Sequence, residues 1–356
     1  MNQQQAYRVI GLDIGGANIK ASDGGDFHHH EPFALWQTPE ELGEKLAEIL
    51  ASAPTHDFVA ITTTGELTDC FENKQRGVAY IIDQAVQATG LPIHVYLVDS
   101  RFVDVQTAKQ EYYLAAASNW HALASFVARE VCHHPSGLLI DIGSTTTDVI
   151  AFRNGHVEAS GMDDFGRLLN GELVYTGSIR SAVNGILQQV IHRGQPCPIM
   201  NEMFATTLDT NIILGHLPVG EHKFYTADGG ESTTLGCVRR LARLIGKDDQ
   251  TFNLNDAHEI STQVFETQIQ AITSAIEKVT EHQKLDRPVP VVSGQGEFLA
   301  AAATHRVNTE HSLQEAILLG NRLGPAVSNC ATAFAIARLA KDWIAGQGDS
   351  VDGSTE

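Results

Sequence analysis

Two distant stretches of the chain follow one course: an apolar run ending on an acid, a glycine turn, then a second β-rich run. The first is Tyr7 to Asp13, Gly15-Gly16 and Ala17 to Ser22; the second is Leu138 to Asp141, Gly143-Ser144-Thr145 and Thr146 to Arg153. Each reads as a β-hairpin, and each is followed by another turn, Asp23-Gly24-Gly25 or Asn154-Gly155, that leads to a third strand. A lone Asp-Ile-Gly is an ordinary strand-to-turn pair, but two copies opening two stretches of domain length predict two lobes of one plan. A chain of 356 residues has room for both.

The rest of the pattern fills in those lobes. Thr38-Pro39-Glu40-Glu41 carries helix-start signals before a stripe of Leu42, Leu46 and Ile49. Phe58 to Thr62 and Ile93 to Val98 read as strands, and Gly77 to Thr89 and Asp104 to Ala117 as helices, an alternation that predicts a largely parallel sheet. Ala257 to Val279 has helical spacing, Val289 to Val292 is a buried strand leading into Gly294 and Gly296, and Ala326 to Ile344 is an Ala-rich helix. The expected organisation is a first lobe at 1–132, a second at 133–325, a C-terminal helix at 326–345 packing back on the first, and a tail at 346–356.

Charge and composition narrow the ligand. A net charge of -19, from 24 Lys and Arg against 43 Asp and Glu, repels nucleic acid and anionic lipid. Any phosphate must be held by local devices, which favours a small molecule. No stretch has the roughly 20 apolar residues of a membrane span, and Met1 to Gln5 has no leader-like character, so a cytoplasmic protein is expected. Five scattered cysteines without a Cys-x-x-Cys pair fit reduced thiols. The oligomeric state is not legible.

Glycine hairpins let backbone N–H groups face a phosphate without an intervening side chain. Asp13 and Asp141, at the strand ends, cannot favour phosphate themselves but can hold Mg²⁺ that does. His28-His29-His30 and Cys132-His133-His134 lack zinc spacing and read as ordinary strand and loop residues. Lys74, Arg76, Arg101 and Arg167 are cations that suit a diphosphate or carboxylate, though each alone also reads as surface charge. Asp163, Asp164 and Asp228 are either cleft acids or turn residues, and Asn119-Trp120 reads as packing or as the floor of an aromatic pocket.

With Val292-Ser293-Gly294-Gln295-Gly296 added, the two hairpins complete a three-part pattern that resembles the actin-like superfamily. That superfamily implies two α/β ribonuclease-H-like lobes with a ligand cleft between them. Four longer blocks narrow the resemblance: Thr62-Thr63-Thr64-Gly65-Glu66-Leu67-Thr68-Asp69-Cys70-Phe71, Asp141 to Asp148, Gly171-Glu172-Leu173-Val174-Tyr175-Thr176-Gly177 and Thr226-Ala227-Asp228-Gly229. With Ser118-Asn119-Trp120 and Phe204-Ala205-Thr206, they resemble the tetrahydromethanopterin-linked C1-transfer proteins, relatives of hydantoinase A and oxoprolinase that include the furan-methanamine synthase of methanofuran biosynthesis.

The resemblance implies a transferase that joins an aminomethylfuran-methyl diphosphate to the phenol of a tyramine- or tyrosine-derived substrate, with Mg²⁺ and without ATP. On that reading Asp13 and Asp141 hold the metal and either Glu66 or Asp69 is the base. Gly15, Gly16, Asn18, Lys74, Arg76, Gly143, Ser144, Thr145 and Thr146 surround the diphosphate, while Asp148, Gly294 and Gly296 belong to a substrate or nucleotide segment. The alternative on the same fold is an ATP-dependent kinase or a hydantoinase-like hydrolase, suggested by the glycines at 294 and 296. A third possibility is a non-catalytic module.

Overall fold

A computed structural model describes residues 7–220, 226–307 and 313–351. Its contacts divide the chain into two compact units. One is Met1–Pro135 with Phe152–Arg167 and Gly320–Glu356; the other is Ser136–Ala151 with Leu168–Leu319.

The first unit is built on β1 (Val9–Ile14), β2 (Asn18–Ser22), β3 (His28–Pro32), β4 (Phe58–Thr63), β5 (Ile93–Tyr96) and β6 (Phe102–Val103), in the spatial order β3-β2-β1-β4-β5-β6. All six residues of β1 and of β4 are buried, as central strands covered on both faces require. The edge strand β3, His-His-His-Glu-Pro, keeps every residue partly or fully exposed and ends on a proline. The sheet is mixed where a largely parallel one was expected. β1–β2, β2–β3 and β5–β6 are antiparallel, and β1–β4 and β4–β5 are parallel. Short turns can join only antiparallel neighbours, whereas the β1 to β4 connection has a helix, Leu42–Ser52, to carry the crossover. Leu42, Leu46 and Ile49 are the buried stripe of that helix.

The helix Ala331–Val351 covers β1. It continues past the expected end at 345, and residues 352–356 of the expected tail lie outside the described residues. Gly11 makes the contact possible. A Cβ there would run into the Ala333 carbonyl and come within 2.7 Å of the Ala337 amide, both helix backbone atoms. Gly11→Ala is therefore expected to destabilise the protein by about 1–3 kcal/mol or more, measurable as a lower urea midpoint at unchanged m-value.

The second unit repeats the plan. β7 (Ser136–Ile142) and β8 (Thr147–Arg153) form its hairpin; the last two residues of β8, Phe152 and Arg153, and the short β9 (His156–Val157) that pairs with them fall in the segment counted with the first unit. With β10 (Leu173–Val174), β13 (Val289–Ser293) and β14 (Ile317–Leu318) the spatial order is β10-β8-β7-β13-β14, and β13 lies parallel to both β7 and β14. Hairpin strands first, parallel strands after, is the ribonuclease-H-like order of an actin-type lobe in both units. Between β10 and β13 the second unit carries, among the described residues, the small hairpin β11 (Gln189–His192) and β12 (Gln195–Pro198), the one-turn helix Val183–Ile186 and the longer helices Thr207–Ile213, Thr234–Arg243 and Leu254–His282. Among the described residues no helix is long and apolar enough to cross a membrane.

Candidate active site

The two glycine hairpins close alike. Gly15 N–H donates to the Asn18 carbonyl at 2.9 Å, and Gly143 N–H donates to the Thr146 carbonyl at 2.9 Å. Asp13 and Asp141 occupy the same place, one residue before the end of β1 and of β7.

In the first unit the chain leaving β4 folds onto its hairpin. Thr64 N–H donates to the Ile14 carbonyl at 3.1 Å, and Gly65 sits beside the Gly15 carbonyl carbon and against Leu35, whose Cδ2 a Cβ would approach to 2.6 Å. Thr68 closes over Gly16, where a Cβ would meet its methyl at 2.8 Å. Glu66 is thereby carried inward to 1% exposure, beneath the helix Lys74–Ala88. Gly77 of that helix lies against the Glu66 backbone, with room for a Cβ only 2.7 Å from Glu66 Cα. Thr63 Oγ1 donates to Glu66 Oε2 at 3.4 Å. Burial pushes the Glu66 carboxyl up to about 7; its own backbone N–H and Lys74 pull the other way, and Asp164 adds to the rise. Asp69, the other candidate base, is exposed.

Asp13 is 5% exposed, and burial raises its carboxyl above the usual range against the pull of Lys20, whose Nζ lies 3.9 Å from Oδ2. Asp13 Oδ1 is buried with no hydrogen-bond partner. A carboxylate oxygen left over inside a protein suits a hard cation such as Mg²⁺, which prefers oxygen donors. Asn18 is half-buried, its Oδ1 3.0 Å from His30 Nε2. Burial pushes His30 down to about 4, so the ring is neutral and donates to that amide oxygen at physiological pH.

The cations of this unit separate by environment. Arg76 is exposed, and Lys74 Nζ lies 3.9 Å from Asp164 Oδ2. Arg101 is held on the surface by Asp99 and Glu111. Arg167 is 2% exposed, with its guanidinium 4.4 Å above the Trp120 ring and Nη1 3.4 Å from Asp164. Trp120 is accordingly buried beneath an arginine, not the floor of an open pocket. Asp163 accepts from Gly166 N–H at 2.8 Å as a turn residue. The triple histidine run of β3 also disperses: His28 lies 3.1 Å from Ser22, His29 3.4 Å from Glu31, and His30 beside Asn18. The coupling of Asp164 to both Lys74 and Glu66 escaped the sequence reading, because no spacing rule joins residues so far apart in the chain.

In the second unit three segments meet at the hairpin. The Ser144 carbonyl accepts from Ile179 and Arg180 N–H at 3.1 and 2.8 Å, and the Gly143 carbonyl accepts from Ser178 N–H at 3.0 Å. Gly177 is pressed against the turn, with a Cβ only 2.5 Å from Thr145 N. Gln268 fastens this segment by donating to Thr176 Oγ1 at 2.8 Å and to the Gly177 carbonyl at 3.0 Å. From the far side Gly294, at φ 90, passes over the end of β7 where a Cβ would stand 2.8 Å from Asp141 Oδ1. Gly296 N–H donates to the Ile142 carbonyl at 2.9 Å before the helix Glu297–Arg306 begins. Gly143, Ser144, Thr145, Thr146, Asp141, Gly294 and Gly296 are thus local neighbours. Asp148 is buried on β8 opposite Leu173, and Asp228 is taken up by Arg240 at 3.0 Å and Arg243 at 3.1 Å.

The sequence profile of the hydantoinase/oxoprolinase family matches residues 57–341. The chain belongs to that family. This hydantoinase/oxoprolinase-family protein is also 31% identical over 334 residues, 93% of its length and 97% of the relative's, to the (4-{4-[2-(gamma-L-glutamylamino)ethyl]phenoxymethyl}furan-2-yl)methanamine synthase of Methanocaldococcus jannaschii. A protein of the same name from Methanococcus vannielii is 26% identical over 219 residues, 62% of this chain and 96% of that one. Both bear out the resemblance carried by the sequence blocks. Among solved structures, the activator of 2-hydroxyisocaproyl-CoA dehydratase from Clostridium difficile with bound ADPNP is similar at a TM-score of 0.45 and 12% identity, over 98% of this chain and 99% of that one. The fold assignment rests on strand order and needs nothing from that likeness.

Proposed function

We propose that the protein forms the ether bond between an aminomethylfuran-methyl diphosphate and a tyramine- or tyrosine-derived phenol in assembly of a methanofuran-type C1 carrier. The observation that carries this reading is the name of the relative at 31% identity over 93% of the chain. A phenoxymethyl-furan contains a phenol oxygen joined to a furan methylene, the bond such a displacement makes. The phenol oxygen bonds to the methylene, the methylene–oxygen bond to the diphosphate breaks, and its electron pair leaves with pyrophosphate. The phenolic proton passes to a carboxylate. The furan oxygen spreads positive charge developing on the methylene, so holding the leaving diphosphate is most of the task.

Glu66 is the base on this reading. A phenol ionises near pH 10, and a carboxyl at about 7 is a far stronger proton acceptor than an ordinary glutamate while still half-ionised near neutrality. Asp69 lacks that tuning environment, being exposed. Within each unit the glycine hairpin is the proposed anion-binding element: Gly15, Gly16 and Asn18 in the first, with Lys74 and Arg76 adding positive charge, and Gly143, Ser144, Thr145 and Thr146 in the second. Asp13 in the first hairpin and Asp141 in the second are each proposed as Mg²⁺ ligands within their own unit, and Mg²⁺ when bound would draw charge onto the departing oxygens.

Purified protein with Mg²⁺, the furfuryl diphosphate and the phenol is expected to release one pyrophosphate per ether formed, with no ATP present. Absence of pyrophosphate, or a strict requirement for ATP, would overturn the proposal in favour of ATP-dependent chemistry.

A further inference from the structure

A second cluster, wholly within the second unit and outside its hairpin, has the donors for a transition-metal ion. His192 closes β11, and the turn that follows places Arg193 and Gly194 at φ 50 and 77, reversing the chain over the start of the helix Leu254–His282. That helix supplies Asp256 and Glu259, three residues apart and so on one face. His192 Nδ1 stands 3.9 Å from Asp256 Oδ1 and 3.8 Å from Glu259 Oε2. Both separations are too long for hydrogen bonds. Neither ring nitrogen of His192 has a hydrogen-bond partner, although both atoms are buried and the residue is only 9% exposed. Packing fixes the ring, which stacks on Phe252 with centroids 5.7 Å apart and planes at 23°.

A buried imidazole without partners is costly unless something occupies the space its lone pair faces. Here that space is bounded by two carboxylate oxygens, and all three donor atoms lie within 4.8 Å of one another. Ligands about 2.0–2.2 Å from a four-coordinate ion stand ~3.4 Å apart, so side-chain adjustment alone would close the set. Arg193 does not block it. Its guanidinium forks onto Asp256, Nε to Oδ1 at 2.8 Å and Nη2 to Oδ2 at 2.7 Å, and its N–H donates to Glu259 Oε2 at 2.9 Å. An ionised carboxylate offers about four lone-pair sites, so each coordinating oxygen keeps one, with Arg193 orienting the ligands from outside.

The geometry points to a divalent transition-metal site, of the zinc class, formed by His192 Nδ1, Asp256 Oδ1 and Glu259 Oε2. One imidazole with two carboxylates favours Zn²⁺, Co²⁺ or Ni²⁺ over Mg²⁺ and Ca²⁺. Bound there, the ion fastens the β11–β12 hairpin to the long helix, on residues apart from the Asp141 hairpin of the same unit.

Full-length protein stripped with chelator is titrated with ZnCl₂ and, separately, CoCl₂, while binding, the Co²⁺ visible spectrum and thermal unfolding are followed. One ion per chain, an absorption band of low-coordinate Co²⁺ and a raised Tm with zinc are expected. His192→Ala and Glu259→Gln should each weaken binding at least about 100-fold, beyond the 10–100-fold cost of losing an outer-shell partner, and Asp13→Asn should leave zinc affinity unchanged. Glu259→Gln, at a half-buried position, keeps the test valid if His192→Ala fails to fold. No binding by the parent protein, equal binding by parent and Glu259→Gln, or loss of zinc binding in Asp13→Asn would each overturn the assignment.

Discussion

Replacing Glu66 by Gln is expected to lower the rate of pyrophosphate release by about 10²–10⁴-fold, with Asp69→Asn close to the parent. Glutamine keeps the shape and the Thr63 bond but cannot take the phenolic proton. Because burial pushes the Glu66 carboxyl up to about 7, the parent rate should rise with pH through that value, and Glu66→Gln should lose the step. Stability supplies a readout that a merely structural glutamate shares but a mobile one does not. In the unfolded chain Glu66 loses its proton near 4.5, while the fold retains it to about 7. Its contribution is complete below 4.5 and is lost as pH rises to about 7, by about 3 kcal/mol for a shift of this size. Urea titrations at pH 5 and pH 8 should differ less in Glu66→Gln than in the parent. A variant that kept parental turnover would remove Glu66 from the chemistry.

Asp13→Asn is the second large effect, a loss of about 10²–10³-fold in turnover, comparable with removing one electrostatic stabiliser of a departing oxyanion. Its stability should move the other way. Burial raises the Asp13 carboxyl more than Lys20, 3.9 Å away, lowers it. The folded protein therefore holds this proton to higher pH than the unfolded chain, and stability declines as pH rises through the folded value. Asparagine removes the buried charge and should raise Tm at pH 8 while activity falls, the trade expected of a residue kept for function. Calorimetry at pH 8 beside the pyrophosphate assay decides this; a lower Tm with full turnover would make Asp13 structural.

Several elements were legible because their cause is local. The two Asp-Ile-Gly hairpins were readable because a tight glycine turn between apolar runs can be closed by a single backbone bond, the 2.9 Å Gly15–Asn18 and Gly143–Thr146 contacts. The Leu42, Leu46, Ile49 stripe was readable because helical period alone selects a buried face. The mixed sheet was harder. Alternating strands and helices suggest parallel pairing, and only the register of β1 against both β2 and β4 shows that each hairpin contributes antiparallel neighbours to a sheet whose later strands are parallel.

Candidate chemistry divides along the same line. Glu66 and Asp69 are three residues apart in one polar segment and look alike as residue types; Gly65 and Gly77 pack one inside while the other stays exposed. Arg167 read by sequence either as a diphosphate or carboxylate ligand or as surface charge, and in the structure it is a buried partner of Trp120. The C1-transfer family was visible in the blocks around Glu66, Asp141 and Gly177, because each stacks on or forms a glycine hairpin and tolerates few other side chains there.

By itself the sequence determined the two-lobe plan, the twin hairpins and the family, since these follow from local turn chemistry, period and contiguous motifs. Tertiary structure alone decided which acids are buried and which cations are already paired, and it brought His192 to Asp256 and Glu259. Burial and charge proximity depend on distances between residues far apart in the chain, and no local pattern encodes those distances.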